Sequence, residues 1–294
     1  MDYLSQAYAI FYQFADAFAF LTLSGLGLAI IFGMMGVINL AHGEFIMCGA
    51  YVTVISARAG LALPLAMLAG TLSAGLVGFL LERFIISRLY ERLSDSIVAT
   101  WGISILTTQA VLILAGPSIE GIKTPMGSFE LGGLSFSLYR AVLPLIALGL
   151  LAGLYWLFMR TRFGVHSRAT IEDARMAKSL GIDVRDIYSR TFVLGAALAG
   201  LTGALYAPTM TAVPTMGVAF MVQSFVTVVV SGADVMLGLA PAASILAFIQ
   251  SALTGYYGQL IGQIGLLVTV IIVIRTLPTG VSGYFLRRSG RKQG

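Results

Sequence analysis

The chain has 294 residues, of which 58% are hydrophobic and only 11% are charged, whereas roughly 25% of the residues of an average soluble domain are charged. This composition excludes a soluble enzyme and predicts a polytopic membrane protein. The formal net charge of +5 lies mainly in short loops and at the tail, a distribution typical of membrane topology rather than of nucleic-acid binding.

Apolar segments recur along the whole chain and predict an all-α membrane helix bundle with about eight or nine transmembrane segments, forming one domain over residues 1–294. No basic region precedes the first segment, so we expect it to remain as a span rather than to be a cleaved signal peptide. A segment at 45–57 is shorter than the others and predicts either a short span or half of a broken one. The longer segments lie near 17–36, 61–81, 97–116, 141–159, 191–208, 216–233, 236–254 and 260–277.

A polar block interrupts the apolar sequence at residues 39–44, where Asn39, His42 and Glu44 lie close together. A charged side chain in hydrocarbon costs roughly 2.5–3.5 kcal/mol on insertion scales, so these groups should face protein or water. They either cap a helix break and satisfy its freed backbone groups or contact a passing solute. Under both interpretations the block is a candidate translocation path or gate.

The distribution of basic residues predicts the orientation in the membrane. The loop 160–190 and the tail 285–294 carry the densest positive charge, which places both in the cytoplasm by the positive-inside rule. The loop 117–140 carries few basic residues and is expected to face outward. The side of the N-terminus depends on whether 45–57 is a full span.

The cytoplasmic loop has the pattern of an amphipathic helix. Thr170 is a candidate N-cap with Asp173 at the capping-box position, Met176 and Leu180 share one face, and Gly181 is expected to end the helix. Such a helix either docks in the groove of a soluble partner or rests at the lipid headgroups. The pattern alone leaves both interpretations open.

Further polar residues lie within the later spans, and each either contacts solute or forms an interhelical hydrogen bond. They are Thr107, Thr108, Gln109 and Gln223. The single cysteine, Cys48, excludes a cysteine-based metal site. No phosphate-binding loop motif occurs, so we expect neither an enzyme nor a bound cofactor or metal.

Several stretches together carry a family resemblance over nearly the whole chain. They resemble the permease subunits of bacterial ABC importers for branched-chain amino acids and for urea or short amides. The Asn-x-Ala-His-Gly-Glu block in a membrane context is the most specific of them. The stretches are 25–44, 161–164, 168–169, 176–182, 191–200 and 277–280.

The resemblance implies a transport machine rather than an isolated channel. Its other parts would be two cytoplasmic ATPase subunits that hydrolyse ATP, a second related permease subunit or a second copy of this chain, and a periplasmic solute-binding protein. The permease would span the bacterial inner membrane with its tail in the cytoplasm. We expect transport of branched-chain or related amino acids, with urea or short amides as the alternative.

The resemblance also implies a coupling loop that contacts the ATPases. Importers generally carry a Glu-Ala-Ala-x-x-x-Gly motif there, and Ala177 and Gly181 match its Ala and Gly. Arg175 occupies the Glu position, while Glu172 and Asp173 keep acidic charge one turn earlier.

Asp234 is a second departure, because family members typically have a Gly-Gly-x-Gly stretch in this region. It is either a turn residue or an acid that lines the path and favours a solute with positive or hydrogen-bond-donating groups. It is also the candidate coupling acid for an alternative of another class, an ATPase-independent secondary transporter. A purely structural membrane subunit is a third alternative.

Overall fold

The structure, a computed structural model, describes residues 3–90, 92–232 and 234–284. The predicted cytoplasmic tail 285–294 lies outside the described residues. The helices are α1 (Tyr3–Met35), α2 (His42–Arg58), α3 (Leu63–Phe84), α4 (Leu93–Ala115), α5 (Leu138–Arg160), α6 (Arg162–Glu172), α7 (Ala174–Ser179), α8 (Val184–Tyr206), α9 (Met216–Ser231), α10 (Val235–Tyr257) and α11 (Gln259–Thr276). Strands β1 (Ser128–Leu131) and β2 (Leu134–Ser137) form an antiparallel hairpin.

Within the described part of the chain, seven helices are long and apolar enough to cross a membrane: α1, α3, α4, α5, α8, α10 and α11. Helix α9 is apolar but shorter, with 16 residues. Each of the eight predicted spans therefore contains a helix, and the all-α polytopic bundle is confirmed. The uncertain segment 45–57 belongs to α2, one continuous helix of 17 residues, which is about 25 Å long at the α-helical rise.

The chain separates into two compact units. The larger unit comprises the described residues of 26–123 and 151–222, and the smaller unit comprises the described residues of 3–25, 124–150 and 223–284. The prediction of one domain over the whole chain stays a prediction.

The larger unit is built on close packing of α2, α3 and α8. Gly49 of α2 lies directly against Gly200 of α8, so a Cβ on Gly49 would overlap that backbone. Small residues of this kind let membrane helices approach closely. Beside this contact, the rings of Phe45 and Phe192 pack edge to face with centroids 6.0 Å apart. This packing buries the N-terminal half of α2, which carries part of the polar block.

In the smaller unit the β-hairpin packs against the N-terminal part of α1. The Tyr12 hydroxyl donates to the Ser137 carbonyl at 2.8 Å, and Arg140 pairs with Asp16 at 3.2 Å. The sequence analysis did not predict this hairpin, which lies in the loop expected to face outward. Its turn is the pair at 132–133, two glycines with φ of 59° and 77°, as a two-residue type I′ turn requires.

Candidate functional site

The polar block lies where the chain turns from α1 into α2, inside the larger unit. Helix α1 ends at Met35, and Gly36 has a φ of 64°. The Asn39 side chain is 1% exposed, and its Oδ1 accepts a hydrogen bond of 3.0 Å from the Ala41 backbone N–H. This Asx turn leads directly into α2. Asn39 thus satisfies a backbone N–H group at the break between α1 and α2, as expected if the polar block caps a helix break.

His42 is the first residue of α2 and its side chain is completely buried. The imidazole lies against Gly27 of α1, where a Cβ would come within 3.0 Å of its Cε1. Because Gly27 has no side chain, the imidazole ring can pack directly against α1. His42 and Asn39 both contact the larger unit's interior rather than its surface.

Glu44 is directed towards α4 and is 4% exposed. Its Oε1 accepts hydrogen bonds from Ser104 Oγ at 2.7 Å and from Thr108 Oγ1 at 3.4 Å. Its Oε2 is buried and has no hydrogen-bond partner among the described residues. Gly217 lies beside the carboxylate, since a Cβ there would be 2.9 Å from Oε2. None of the ion pairs within the described part of the chain includes Glu44.

Helix α4 carries hydroxyl side chains at every fourth position, and three of them, Thr100, Ser104 and Thr108, contact the polar block. Besides Ser104 and Thr108 these are Ser96 and Thr100, which are 0% and 1% exposed. Thr100 Oγ1 accepts a hydrogen bond of 3.1 Å from the backbone N–H of Leu40. Residues four apart lie on one face of a helix. Sequence reasoning missed the contacts of Thr100 and Ser104, and this four-residue spacing in an apolar helix is the signal that would have found them.

Two cavities flank the contact between α2 and α4. One, of about 330 Å³, is lined by Ser104, Thr108 and Gln109 and by apolar side chains of α4, of α9 and of Leu40. The other, of about 260 Å³, lies among α2, α3 and α4 and is lined by Glu44, Thr107 and mostly apolar side chains. Because Glu44 lines one cavity and its hydrogen-bond donors line the other, these hydrogen bonds stand between the two.

Gln223 and Asp234, the other predicted path residues, belong to the smaller unit. Gln223 lies in α9 and is half-buried. Asp234 is the N-cap of α10: its Oδ1 accepts from the Leu237 backbone N–H at 3.2 Å, and its own N–H donates to Ser282 Oγ at 3.3 Å. These are the contacts of a turn residue. The larger unit therefore holds Asn39, His42 and Glu44 together with Thr107, Thr108 and Gln109, whereas Gln223 and Asp234 belong to the smaller unit.

The predicted coupling loop contains two short helices rather than one. The expectation that Thr170 caps it is wrong, because Thr170 lies inside α6, which begins earlier with Thr161 as its N-cap. At Asp173 the backbone is extended and α7 starts anew. Asp173 Oδ1 accepts from the N–H groups of Arg175 and Met176 at 2.8 and 3.0 Å, so it is itself an N-cap.

Gly181 ends α7, as predicted. It has a φ of 84°, its N–H donates to the Lys178 carbonyl, and the N–H of Ile182 donates to the Ala177 carbonyl, each at 3.1 Å. This is the Schellman arrangement of a helix end. Ala177 is 2% exposed and faces the protein, whereas Leu180 is 74% exposed.

The remaining coupling-loop candidates are the charged residues Glu172 and Arg175, and both are exposed. Met176 is also exposed, at 60%. Helix α7 therefore presents an apolar edge between charged groups to the outside of the described structure.

A buried carboxylate joins this region to α3. Glu82 of α3 is 1% exposed and accepts a hydrogen bond of 2.6 Å from Ser189 of α8. Its other oxygen accepts from the Tyr90 hydroxyl. Burial and the neighbouring Glu82 raise the pKa of Tyr90 above its ordinary value. Sequence reasoning missed this cluster, since Glu82 and Ser189 are 107 residues apart in the chain.

Residues 10–277 match the protein family described as branched-chain amino acid transport system / permease component. The chain is similar to the high-affinity branched-chain amino acid transport system permease protein BraD of Pseudomonas aeruginosa, with 29% identity covering 89% of this chain and 91% of that protein. It is also similar to the probable branched-chain amino acid transport permease protein LivH of Methanocaldococcus jannaschii, with 27% identity over 90% and 88% of the two chains. The LivH permease of Escherichia coli K12 is 25% identical over 89% and 90%. No solved structure matches the chain significantly.

Proposed function

Because this chain belongs to the family of permease components of branched-chain amino acid transport systems, we propose that it forms the membrane pathway of an ABC uptake system for branched-chain amino acids. The family match over residues 10–277 carries this proposal. The chain is a transport permease and not an enzyme. Its relatives' names specify branched-chain amino acids, which favours these solutes over urea or short amides.

The transport path is proposed to pass the N-terminal half of α2. Buried polar side chains converge there, and two cavities flank the contact between Glu44 and α4. Hydrogen-bonding groups inside a membrane protein compensate a polar solute for the water that it loses. Asn39 and His42 hold the start of α2 in place, while Gln223 and Asp234 are candidates for the part of the path in the smaller unit.

Energy is proposed to come from two cytoplasmic ATPase subunits that contact the coupling loop, whose candidate residues are Glu172, Asp173, Arg175, Ala177 and Gly181. Of these, Ala177 faces the protein and would position the loop rather than touch the ATPase. The exposed Met176 and Leu180 supply an apolar edge for a groove in the ATPase. ATP itself would be hydrolysed on those partners, and this chain would bind no cofactor.

A mechanical connection from the coupling loop to the path supports this mechanism. Helix α7 is joined to α8 by a short link, and Asp183 caps α8 by accepting a hydrogen bond of 3.1 Å from the Asp186 N–H. Helix α8 packs against α2 through Gly200 and Gly49. A displacement of α7 would therefore reach α2, the helix that carries Glu44, through rigid elements.

The complete transporter is proposed to include a second related permease subunit or a second copy of this chain, and a periplasmic solute-binding protein that delivers the solute. We place it in the bacterial inner membrane with the basic tail of this chain in the cytoplasm. The basic residues of the loop 160–190 support that orientation.

Uptake into proteoliposomes tests the proposal. The complex purified with its co-purifying partners and binding protein is supplied with labelled leucine or labelled urea, with internal ATP or without it. We expect leucine uptake that requires ATP and persists when the proton gradient is dissipated. Uptake of urea instead would assign the urea branch of the family, and leucine uptake that needs the gradient but not ATP would assign a secondary transporter.

A further inference from the structure

Glu44 is a buried acid in the larger unit with no basic side chain paired to it among the described residues. His42 lies two positions before Glu44 on the same helix, and the arginine of that helix, Arg58, lies fourteen positions further on, about 21 Å along the helix. A buried charge without a counter-charge is costly, and groups of this kind inside membranes mark ion or solute pathways. The unpartnered Oε2 leaves the carboxylate able to accept a further hydrogen bond.

The hydroxyl groups of Ser104 and Thr108 have a defined polarity. Both donate their single hydrogen to Glu44 Oε1, so each oxygen has only acceptor lone pairs left. These two residues also line the cavity of about 330 Å³. The two hydroxyls therefore offer acceptors backed by a carboxylate, which suits a cationic donor; the Gln109 amide is the other polar side chain of the lining.

Apart from Gln109, the rest of the cavity lining is made of mainly apolar side chains. Trp101 and Ile105 of α4 and Val218 and Met221 of α9 line it. The carboxylate of Glu44 lies beside Gly217, the residue next to Val218. An amphipathic solute would thus meet hydrogen-bond acceptors and an apolar wall within one cavity.

We propose that Ser104, Thr108 and Glu44 form a recognition site for the α-ammonium group of the transported amino acid, whose branched side chain lies against Trp101, Ile105 and Met221. An ammonium group has three N–H donors. The Ser104 and Thr108 oxygens that line the cavity supply acceptors for it, and the Glu44 carboxylate behind them supplies the negative charge. This site rests on the proposed function for the identity of the solute.

The site gives the permease a selectivity of its own, in addition to that of a binding protein. A solute with the same carbon skeleton and an ammonium group is accepted, and one with only a carboxylate is rejected. Because Oε1 is already hydrogen-bonded to two hydroxyls, the carboxylate is partly satisfied without solute, which keeps binding weak enough for release.

Saturation-transfer NMR on the purified transporter complex in lipid nanodiscs, without binding protein and without ATP, tests this site. The probes are leucine, 3-methylbutylamine, which is leucine without its carboxylate, and 4-methylpentanoate, which is leucine without its ammonium group. We expect leucine and the amine to bind and to displace one another, and the acid to bind about tenfold more weakly or not at all. Equal binding of amine and acid, or no leucine binding, would overturn the proposal.

Variants sharpen the test. We expect Glu44→Gln to weaken leucine binding about tenfold and to remove the preference for amine over acid, and Glu44→Asp to retain the preference. Glu82→Gln is the matched control, since it neutralises another buried carboxylate of the same unit outside the cavity. Unchanged discrimination in Glu44→Gln would refute the role of Glu44, and the wild-type ligand series stands even if that variant does not assemble.

The outcome is separable from that of the proposed function. A complex that takes up leucine with ATP but does not distinguish the amine from the acid supports the transporter and refutes this site. A complex that binds the amine selectively but shows no ATP-dependent leucine uptake supports this site and refutes the ATP-driven transporter.

Discussion

Ser104 on α4 donates a hydrogen bond of 2.7 Å to Glu44 on α2, across sixty positions of sequence. The bond joins Glu44, which lines one cavity, to Ser104, which lines the other, and it fixes which way the Ser104 hydroxyl points. Stability and solute selection in this part of the larger unit therefore depend on the same pair of side chains.

Removing the hydroxyl donors should destabilise the protein. Ser104→Ala combined with Thr108→Val leaves the buried Glu44 carboxylate without its hydrogen bonds, which costs about 1–3 kcal/mol. We expect a lower unfolding temperature of the purified complex and reduced leucine uptake. Thr107→Val is the control, because Thr107 lies on the same helix but gives no hydrogen bond to Glu44. Equal unfolding temperatures for the double variant and the control would contradict the prediction.

Leu180→Asp should uncouple ATP hydrolysis from transport. The side chain is 74% exposed, so the change should leave the fold intact while placing a charge on the apolar edge of α7. We expect leucine uptake to fall at least about tenfold, because one buried charge in an interface costs more than 1.4 kcal/mol. Leu131→Asp, at an exposed position of the hairpin, should retain uptake. If both variants transport equally, α7 is not the contact with the ATPase.

Gly181 should tolerate asparagine better than alanine. Its φ of 84° disfavours residues with a Cβ, and no other atom lies within 4 Å of a Cβ built there, so any effect is one of backbone conformation. Alanine in the left-handed region costs about 1 kcal/mol, and asparagine less. We expect leucine uptake to be highest for wild type, lower for Gly181→Asn and lowest for Gly181→Ala. Gly102→Ala, at a helical glycine with equal space and no positive φ, should behave as wild type.

Gly49→Ala should prevent stable folding of the larger unit. A Cβ there would overlap the backbone of Gly200, and backbone cannot move aside as the end of a flexible side chain can. Overpacking of this kind costs about 1–3 kcal/mol or more. We expect little monodisperse protein in size-exclusion chromatography. Gly153→Ala, where nothing lies within 4 Å, is the comparison and should elute normally; equal yields would show that α2 and α8 can separate.

Alkaline pH should destabilise the protein through Tyr90. Its pKa is raised from the ordinary value of 10.0 by burial and by Glu82, so the folded state holds the phenolic proton more tightly than the unfolded state. The stabilisation is complete below pH 10 and is lost as the pH rises above it. Unfolding temperatures measured from pH 8 to 11 should fall more steeply for wild type than for Tyr90→Phe. Parallel curves would show that Tyr90 does not contribute.

The sequence was sufficient where a local pattern determines the structure. The apolar runs identify the spanning helices, and the position of Gly181 predicts a helix end because a glycine can adopt the left-handed conformation. The prediction that Thr170 is an N-cap failed because several residues of one loop can cap a helix. Thr161, nine positions earlier, is the N-cap of α6 instead.

Tertiary contacts could not be predicted in the same way. The bond from Ser104 to Glu44 requires knowing which face of α4 meets α2, and a single sequence does not encode that pairing locally. The hairpin was missed because its strands have only four residues each. It is held by a contact from outside the strands, the hydrogen bond from Tyr12 of α1 to the Ser137 carbonyl.

Helix α7 has only six residues, too few to be stable as a helix in isolation. Its shape is held at both ends, by the Asp173 carboxylate and by the backbone turn at Gly181. The side chain of Arg175 takes no part in either end. Position 175 is therefore open to exchange without loss of the helix, so a new ATPase partner could be accommodated during evolution by changing a surface charge while the shape of the contact stays the same.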